Sequence, residues 1–517
     1  MKCQQTHAIN HFLTTLPLKF LSICDTFIMK YIILILEDLF LERKSGVLMH
    51  ISSLFGDYSI GGFGNEAKYF IDFLCDCGFT YWQVLPFCPC DKCNSPYKSP
   101  SAFAGNPYFI DLKKLADEGL ITESELNEQK QTNQYVCEFE RLYDERLKIL
   151  LTASKRFKNK DKVIEFIEND KYLNDFCIFM AIKQNNGDLP WFEWDNENYD
   201  SDILFMWQFI QYMFFSQWKE IKQYANGKGI KIIGDIPIYV DLDSSDVWAN
   251  KHLFKLDEKN APITVAGVPP DYFCEDGQLW GNPIYDWNTM ESEDFRWWKD
   301  RISYMTKNFD GIRIDHFKGI ESFWEVDGKE TSAKCGKMTK GPGMKLVDAI
   351  KEVSGDALII AEDLGLITED VEKLVSDSGF PGMRVFQFAF MGDSNSTHLP
   401  HNYINNCIAY TGTHDNNTLL GYLWELDEQT RKTMLEYCAF NDNDWGKGCD
   451  SIIKTLMQSH AGVVIMPIQD LLGYGSDTRL NTPGKADGNW AYRITKEQLD
   501  SIDKNHFRHL NELYSRI

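Results

Sequence analysis

Eight short apolar runs punctuate the chain, at 46–49, 81–85, 230–236, 311–314, 357–361, 383–388, 407–410 and 462–466. Most lack the apolar–polar alternation of a half-wet strand, which is the pattern of strands covered on both faces. Between many of them, apolar residues recur at helical spacing. The clearest case is 203–224, with Ser201 and Asp202 as candidate caps and a stop at Asn226-Gly227-Lys228-Gly229 that turns the chain into the next run. Alternating strands and helices imply a parallel sheet. About eight such strands point to a closed barrel rather than an open sheet.

Two stretches break the alternation. Residues 112–200 are charged and helical, and Phe139, Leu142, Tyr143, Leu147, Leu150 and Leu151 form a stripe expected to pack into the core. Residues 241–298 read as a loop-rich excursion, the kind of long loop that often carries function. Residues 1–44 form an extension of uncertain status ahead of a catalytic region at 45–517. Its apolar stretch at 20–41 is interrupted by Asp25, Lys30, Glu37 and Asp38, and the clean run 31–36 is too short to cross a bilayer. It lacks the basic start and small-residue cleavage site of a secretory signal. We read Met29 as the start of the native chain.

Composition narrows the chemistry. A chain of 517 residues buries a large core, and its 14 Trp, 23 Tyr and 34 Phe exceed ordinary usage. Such rings fill cores, and they also cover the apolar face of a pyranose while keeping a polar tip wet. A formal charge of −23 repels phosphate backbones and anionic lipid, so nucleic acid and membrane surfaces are excluded as partners. A neutral substrate is not hindered. The 14 cysteines form no spaced framework and are expected to be mostly reduced thiols in a cytoplasmic protein. Cys75, Cys77, Cys88, Cys90 and Cys93 cluster, and Cys90-x-x-Cys93 has zinc-ligand spacing. No second such pair completes a site, so no metal is expected.

Four apolar runs end in acids: Asp235, Asp315, Glu362 with Asp363, and Asp415 after His414. The C-terminal ends of barrel strands form the catalytic face, where groups from separate strands converge. One such Asp reads as a helix cap; four make capping a poor account. Arg313 and Asp315, two apart, share a strand face. A guanidinium there is expected to lower the pKa of Asp315 and keep it charged, as a carboxylate nucleophile requires; a structural ion pair is the alternative. Glu362 then supplies the second carboxylate of a retaining glycosidase, with a raised pKa. Asp415 is placed to accept from sugar hydroxyls and steady positive charge on the ring, and His414 to donate to a hydroxyl. By itself, the His-Asp pair reads equally well as a loop feature or a metal-like pair.

Longer motifs surround these acids. Gly-Ile-Arg-Ile-Asp-His-Phe (311–317), Ala-Glu-Asp-Leu-Gly (361–365) and Gly-Thr-His-Asp-Asn-Asn-Thr (412–418) closely resemble the 4-α-glucanotransferases, or amylomaltases, of the α-amylase clan. So do 95–107, 234–240, 267–273, 277–283, 479–484 and 488–490, and the resemblance runs from about residue 45 to 517. It implies a (β/α)8 TIM barrel with large helical and loop insertions and no separate C-terminal β domain. It implies transfer of a 1,4-α-glucan segment to glucose or a maltooligosaccharide, with no cofactor and no metal. It assigns Asp315 as nucleophile, Glu362 as acid/base and Asp415 as transition-state stabiliser. Arg313, His414, Tyr97, Ser99, Asp235, Asp271, Gln278, Trp280 and Asn282 become substrate-binding residues, with maltooligosaccharides or longer α-glucans as partners. Starch, glycogen or maltose metabolism follows as the setting. The extension and the segment Phe87-Cys88-Pro89-Cys90-Asp91-Lys92-Cys93, in place of a Gly-rich loop, depart from the family pattern. A plain α-glucan hydrolase, an inactive glycan-binding protein and a metal-dependent hydrolase are the competing readings.

Overall fold

The computed structural model describes residues 41–517 apart from 91–92, 271–274, 366 and 486. The reading of Met29 as the start therefore lies outside the described residues. Among them the strands are β1 (Lys44–Leu48), β2 (Tyr81–Gln83), β3 (Lys231–Pro237), β4 (Thr264–Val268), β5 (Gln278–Pro283), β6 (Gly311–Asp315), β7 (Ser322–Asp327), β8 (Gly336–Lys340), β9 (Leu358–Ala361), β10 (Gly382–Val385), β11 (Cys407–Tyr410) and β12 (Val463–Pro467).

Eight of them close a parallel barrel in the order β1-β2-β3-β6-β9-β10-β11-β12, with β12 paired back to β1. Each of the eight apolar runs contributes one barrel strand, because side chains on both faces are covered: Ile312 and Ile314 meet the outer layer with no exposure. Gly46 is needed where β1 lies against β2, since a Cβ there would stand 2.6 Å from the Cβ and the carbonyl oxygen of Tyr81. The run at 383–388 is shorter as a strand than its sequence suggests. After Val385 the chain leaves the sheet in a 3-10 turn, Phe386–Phe388.

The helix predicted over 203–224 spans Ser201–Gly227. Its cap is Asp200 rather than Ser201 or Asp202: the Asp200 carboxylate accepts from the N–H groups of Asp202 (2.7 Å) and Ile203 (3.3 Å). Residues 112–200 fold mainly as the helices Leu112–Asp117, Glu123–Glu128, Phe139–Arg156, Lys160–Glu168 and Lys171–Asn185. In the apolar stripe, Leu142 and Leu150 are buried, but Tyr143 is 47% exposed. A helix packed on one side buries a limited arc, and Tyr143 falls past its edge.

The excursion after β3 is not all loop. Strands β4 and β5 join β7 and β8 in an antiparallel sheet, order β5-β4-β7-β8, beside the barrel mouth. Glu325 is buried within it and accepts from Lys255 Nζ (2.7 Å), Thr264 Oγ1 (2.8 Å) and Thr339 Oγ1 (2.7 Å). Burial alone would push its carboxyl up; these donors outweigh it and hold the carboxyl at about 2. Among the described residues no helix is long and apolar enough to cross a membrane.

The seam between β1 and β12 is held by an arginine. Arg516, with no exposed surface, donates to the carbonyls of Met457 (2.7 Å), Lys44 (3.0 Å), Gly462 (3.1 Å), Ala461 (3.1 Å) and Ser459 (3.2 Å). Arg516→Ala removes five hydrogen bonds at once. The carbonyls of Met457 and Ser459 keep Arg43 as donor and that of Gly462 keeps the Lys44 N–H, and the loss is expected to cost about 3 kcal/mol. Arg516→Lys recovers little, because an ammonium cannot serve so many acceptors at once. Denaturant unfolding measures both; a loss for Arg516→Ala below about 0.5 kcal/mol, the scatter of ordinary surface substitutions, would refute this role.

Candidate active site

The register of β3 on β6 sets Asp235 opposite Arg313 and Pro237 opposite Asp315. Arg313 points into the barrel with 3% of its surface exposed. Its Nη1 donates to both carboxylate oxygens of Asp235, at 3.0 and 2.8 Å. Its Nη2 lies 2.9 Å from Oδ1 of Asp315, and its Nε is 3.4 Å from the sulfur of Met383 on β10. One guanidinium thus serves two carboxylates.

Asp235 also accepts from the hydroxyl of Tyr97 at 2.8 Å, which anchors the 95–107 loop over the mouth. The Tyr97 ring stacks on His414 (5.2 Å between centroids, 16° between planes), and Trp490 packs 5.9 Å from both rings. His414 Nε2 lies 3.3 Å from Oδ2 of Asp415. Asn481 donates to Oδ1 of Asp415 at 2.6 Å, and Arg479 donates to its backbone carbonyl at 2.6 Å.

Glu362 follows β9 directly, and its N–H donates to the carbonyl of Ile314 at 3.1 Å, so it emerges beside Asp315. Both of its oxygens accept backbone N–H groups: Oε1 from Leu364 (2.8 Å) and Oε2 from His316 (2.7 Å).

These surroundings set Asp415 apart from the other two acids. Burial pushes the Asp315 carboxyl up; Arg313 opposes this, and the charges of Asp235, Glu362 and Asp415 reinforce it, for a net rise. The expectation of a lowered pKa is therefore overturned. Arg313 is where the sequence puts it, but its single charge is shared with Asp235. Burial also raises Glu362, against the pull of Arg313 and its two backbone donors. For Asp415, burial is outweighed by the charge and hydrogen bond of His414 and by the amide of Asn481, and the carboxyl falls well below the ordinary range. Burial pulls His414 down, but Asp415 more than compensates and raises it.

Trp280, on β5, is 37% exposed. Its indole N–H donates to Oε1 of Gln278 at 3.2 Å, and its ring meets His316 edge-on at 4.8 Å. The structure thus gathers Tyr97, Asp235, Arg313, Asp315, Glu362, His414, Asp415 and Trp280 around one mouth. Asp235 enters as the fully buried partner of Arg313 and Tyr97, not as an open acceptor. Ser99 donates to the carbonyl of Ser101 (2.8 Å) within its own loop, and Asn282 donates to that of Val240 (2.8 Å), tying β5 to the segment after β3. Asp271 lies outside the described residues. Among the described residues no group of three or more His, Cys, Asp or Glu side chains is arranged to hold a metal ion. Burial pushes the Cys88 thiol up to about 12.

Four contributors went unassigned from sequence: Asn481, Arg479, Trp490 and His316. The first three lie in the motifs 479–484 and 488–490 and were open to assignment there. His316 lies in the motif 311–317 and acts through its backbone amide on Glu362 and its ring on Trp280.

A sequence profile of the family described as 4-alpha-glucanotransferase matches residues 49–499. The 4-alpha-glucanotransferase of Clostridium butyricum is 43% identical over 490 residues, covering 90% of this chain and 100% of that protein. That of Thermus thermophilus is 39% identical over 506 residues, covering 92% and 100%. Among solved structures, the amylomaltase from Streptococcus agalactiae in complex with acarbose is similar with a TM-score of 0.88 at 40% identity, covering 92% of this chain and 100% of that one.

Asp235→Asn keeps the shape of this cluster and removes a negative charge that opposes ionisation of Asp315. Losing the proton from Asp315 then becomes easier, so the acid limb of the kcat/KM profile moves to lower pH. A limb that stays in place or moves upward would show that Asp235 does not set the charge on Asp315.

Proposed function

This chain belongs to the 4-α-glucanotransferase family, and from that premise we propose that Asp315, Glu362 and Asp415 carry the transfer of a 1,4-α-glucan segment to the 4-hydroxyl of an acceptor, either glucose or another 1,4-α-glucan. The single observation that supports the assignment best is the convergence of the three carboxylates on one mouth, with Asp315 and Glu362 raised and Asp415 lowered.

The reaction is a double displacement with retention. Asp315 attacks the anomeric carbon while Glu362 gives its proton to the departing glycosidic oxygen. The leaving glucan departs and a glycosyl ester on Asp315 remains. The acceptor's 4-oxygen then attacks the same carbon as Glu362 takes its proton, and the ester bond breaks to restore Asp315. Adjacent barrel strands are about 4.8 Å apart, so acids leaving β6 and β9 side by side suit the roughly 5–5.5 Å carboxyl spacing of retaining enzymes better than the wider inverting one. Asp415, kept ionised by His414 and Asn481, faces the positive charge that grows on the ring.

Transfer prevails over hydrolysis when the acceptor site binds sugar well and limits reactive water. Trp280 and Gln278 on β5 supply an aromatic face and an amide on the side we assign to the acceptor, since the 277–283 motif resembles the family's acceptor-side loop; Tyr97 and His414 supply the other. Arg313, Asp235, Ser99, Asn282 and Asp271 complete the proposed binding set, by direct contact or by bracing those that touch sugar. The proposed catalytic unit is 45–517, and a cytoplasmic role in maltose, glycogen or starch metabolism fits it.

Asp315→Asn is expected to lower transfer by on the order of 10⁴-fold or more, since both chemical steps need the nucleophile. Substantial remaining turnover would refute the assignment. With maltotriose alone, the enzyme should release glucose and build longer chains; products that are only shorter would refute transfer.

A further inference from the structure

We infer that His316 is a positioning residue that ties Trp280 on the acceptor side to Glu362, holding one with its ring and the other with its backbone amide. The inference rests on the proposed acid/base role of Glu362.

His316 is the first residue after β6. Its backbone sits at φ 54°, ψ 42°, in the left-handed region that residues bearing a Cβ seldom adopt. A bulky residue persists there only where its surroundings over-determine the conformation, and such positions gather at active sites. Two contacts do so here.

The first is the amide. Across β6 and β9 the last ladder bond runs from the N–H of Glu362 to the carbonyl of Ile314. In a parallel ladder carried one step further, the N–H of His316 would go to the backbone carbonyl of Glu362. The left-handed turn ends the strand at that point. The chain veers into the 3-10 turn Phe317–Ile320, closed by the N–H of Gly319 on the carbonyl of His316 at 2.9 Å. The His316 amide is left to donate to the Glu362 side chain, at 2.7 Å from Oε2. With Leu364 on Oε1, this fixes the plane and reach of the carboxyl.

The second is the ring. The same turn aims the imidazole at Trp280, edge to face at 4.8 Å and 80°. Gly319 leaves it room, since a Cβ there would come within 3.1 Å of Cδ2 of His316. Burial, aided by Lys318, pulls the imidazole down to about 3, so the ring stays neutral in the working range and acts by its shape. Trp280 lies on β5, in the side sheet rather than the barrel, and this contact, together with the Tyr239 ring 6.3 Å from its own, aligns it with the barrel mouth. A shift at the acceptor platform and a shift at the proton carrier are thus linked through one residue.

The test separates amide from ring. His316→Gly adopts the turn freely and His316→Asn tolerates it, so both keep the amide on Glu362 while removing the imidazole. Both should leave the alkaline limb of the kcat/KM profile where the parent has it. Both should raise the KM for labelled glucose as acceptor, with maltopentaose as donor, by about 2- to 10-fold, the size of one aromatic contact. His316→Val cannot take the turn and withdraws the amide. Glu362 loses a donor to its charged form, its pKa rises, and the alkaline limb moves to higher pH while kcat falls. Arg313 and Asp315 on β6, and Lys318 in the next turn, are the other charged groups facing Glu362, and none is altered. A limb displaced in the Gly or Asn variant, or an acceptor KM unchanged in both, overturns the inference; these two variants decide even if His316→Val does not fold. Glu362→Gln reads the underlying assignment separately: its near-complete loss of transfer keeps the acid/base role whatever His316 does, and full activity would remove that role instead.

Discussion

A guanidinium shut inside a barrel needs anions to balance it, and Arg313 has two. Burying a charge costs several kcal/mol unless it is closely paired; Asp235 on β3 and Asp315 on β6 both bond it. The pairing braces adjacent strands at the mouth and sets the charge balance of the whole site. With a single carboxylate, Arg313 would hold that acid firmly ionised. With two, and with Glu362 and Asp415 close by, negative charge is in surplus around Asp315; burial and these charges raise its carboxyl, and burial raises that of Glu362. Their protons belong to the pair rather than to either residue. Asp415 escapes because His414 and Asn481 supply it with partners of its own.

The barrel contributes position and the loops contribute enclosure. Parallel strands in register bring residues far apart in sequence to one rim. Around that rim Tyr97, His414 and Trp490 form a stacked aromatic wall that also holds Asp235 and Asp415 in place. The opposite wall comes from β5, in a sheet that the barrel does not contain. A polymer of sugars needs such an open cleft, yet a transferase must also limit water at the reacting carbon. Aromatic walls meet both demands, because they exclude water without offering it hydrogen bonds.

What could be read from sequence follows from what burial does to composition. Barrel strands are covered on both faces, so they appear as plain apolar runs and were all located. The acids that close those runs pointed to the mouth for the same reason. The side sheet was missed because its two edge strands are wet: β5 reads Gln-Leu-Trp-Gly-Asn-Pro and β8 reads Gly-Lys-Met-Thr-Lys, with several exposed positions in each. The direction of the Asp315 shift was missed because burial, its largest cause, and Asp235, 78 residues from Arg313 across a strand pair, both act only once the chain folds. Asn481 bonds Asp415 from 66 residues away for the same reason. His316 shows the deeper limit: it stands in the motif 311–317, yet the left-handed turn that brings its amide to Glu362 is created by the fold.

The surplus of negative charge also bears on how one carboxyl can serve as acid and then as base. In the proposed double displacement, Glu362 must hold a proton before the first step and be ready to take one in the second. Before reaction, the carboxylate of Asp315 stands beside it, and the repulsion between the two is mutual. When Asp315 becomes a glycosyl ester, its charge is gone. Arg313 is then left with Asp235 and with more of its field directed at Glu362, while the backbone donors of His316 and Leu364 still favour the charged form. Each of these changes lowers the proton affinity of Glu362, and none requires a side chain to move. Return of the charge to Asp315 at the end of the cycle reverses them. The buried arginine with two anionic partners therefore does more than hold strands together: it makes the proton affinity of one acid depend on whether the other is bonded to sugar.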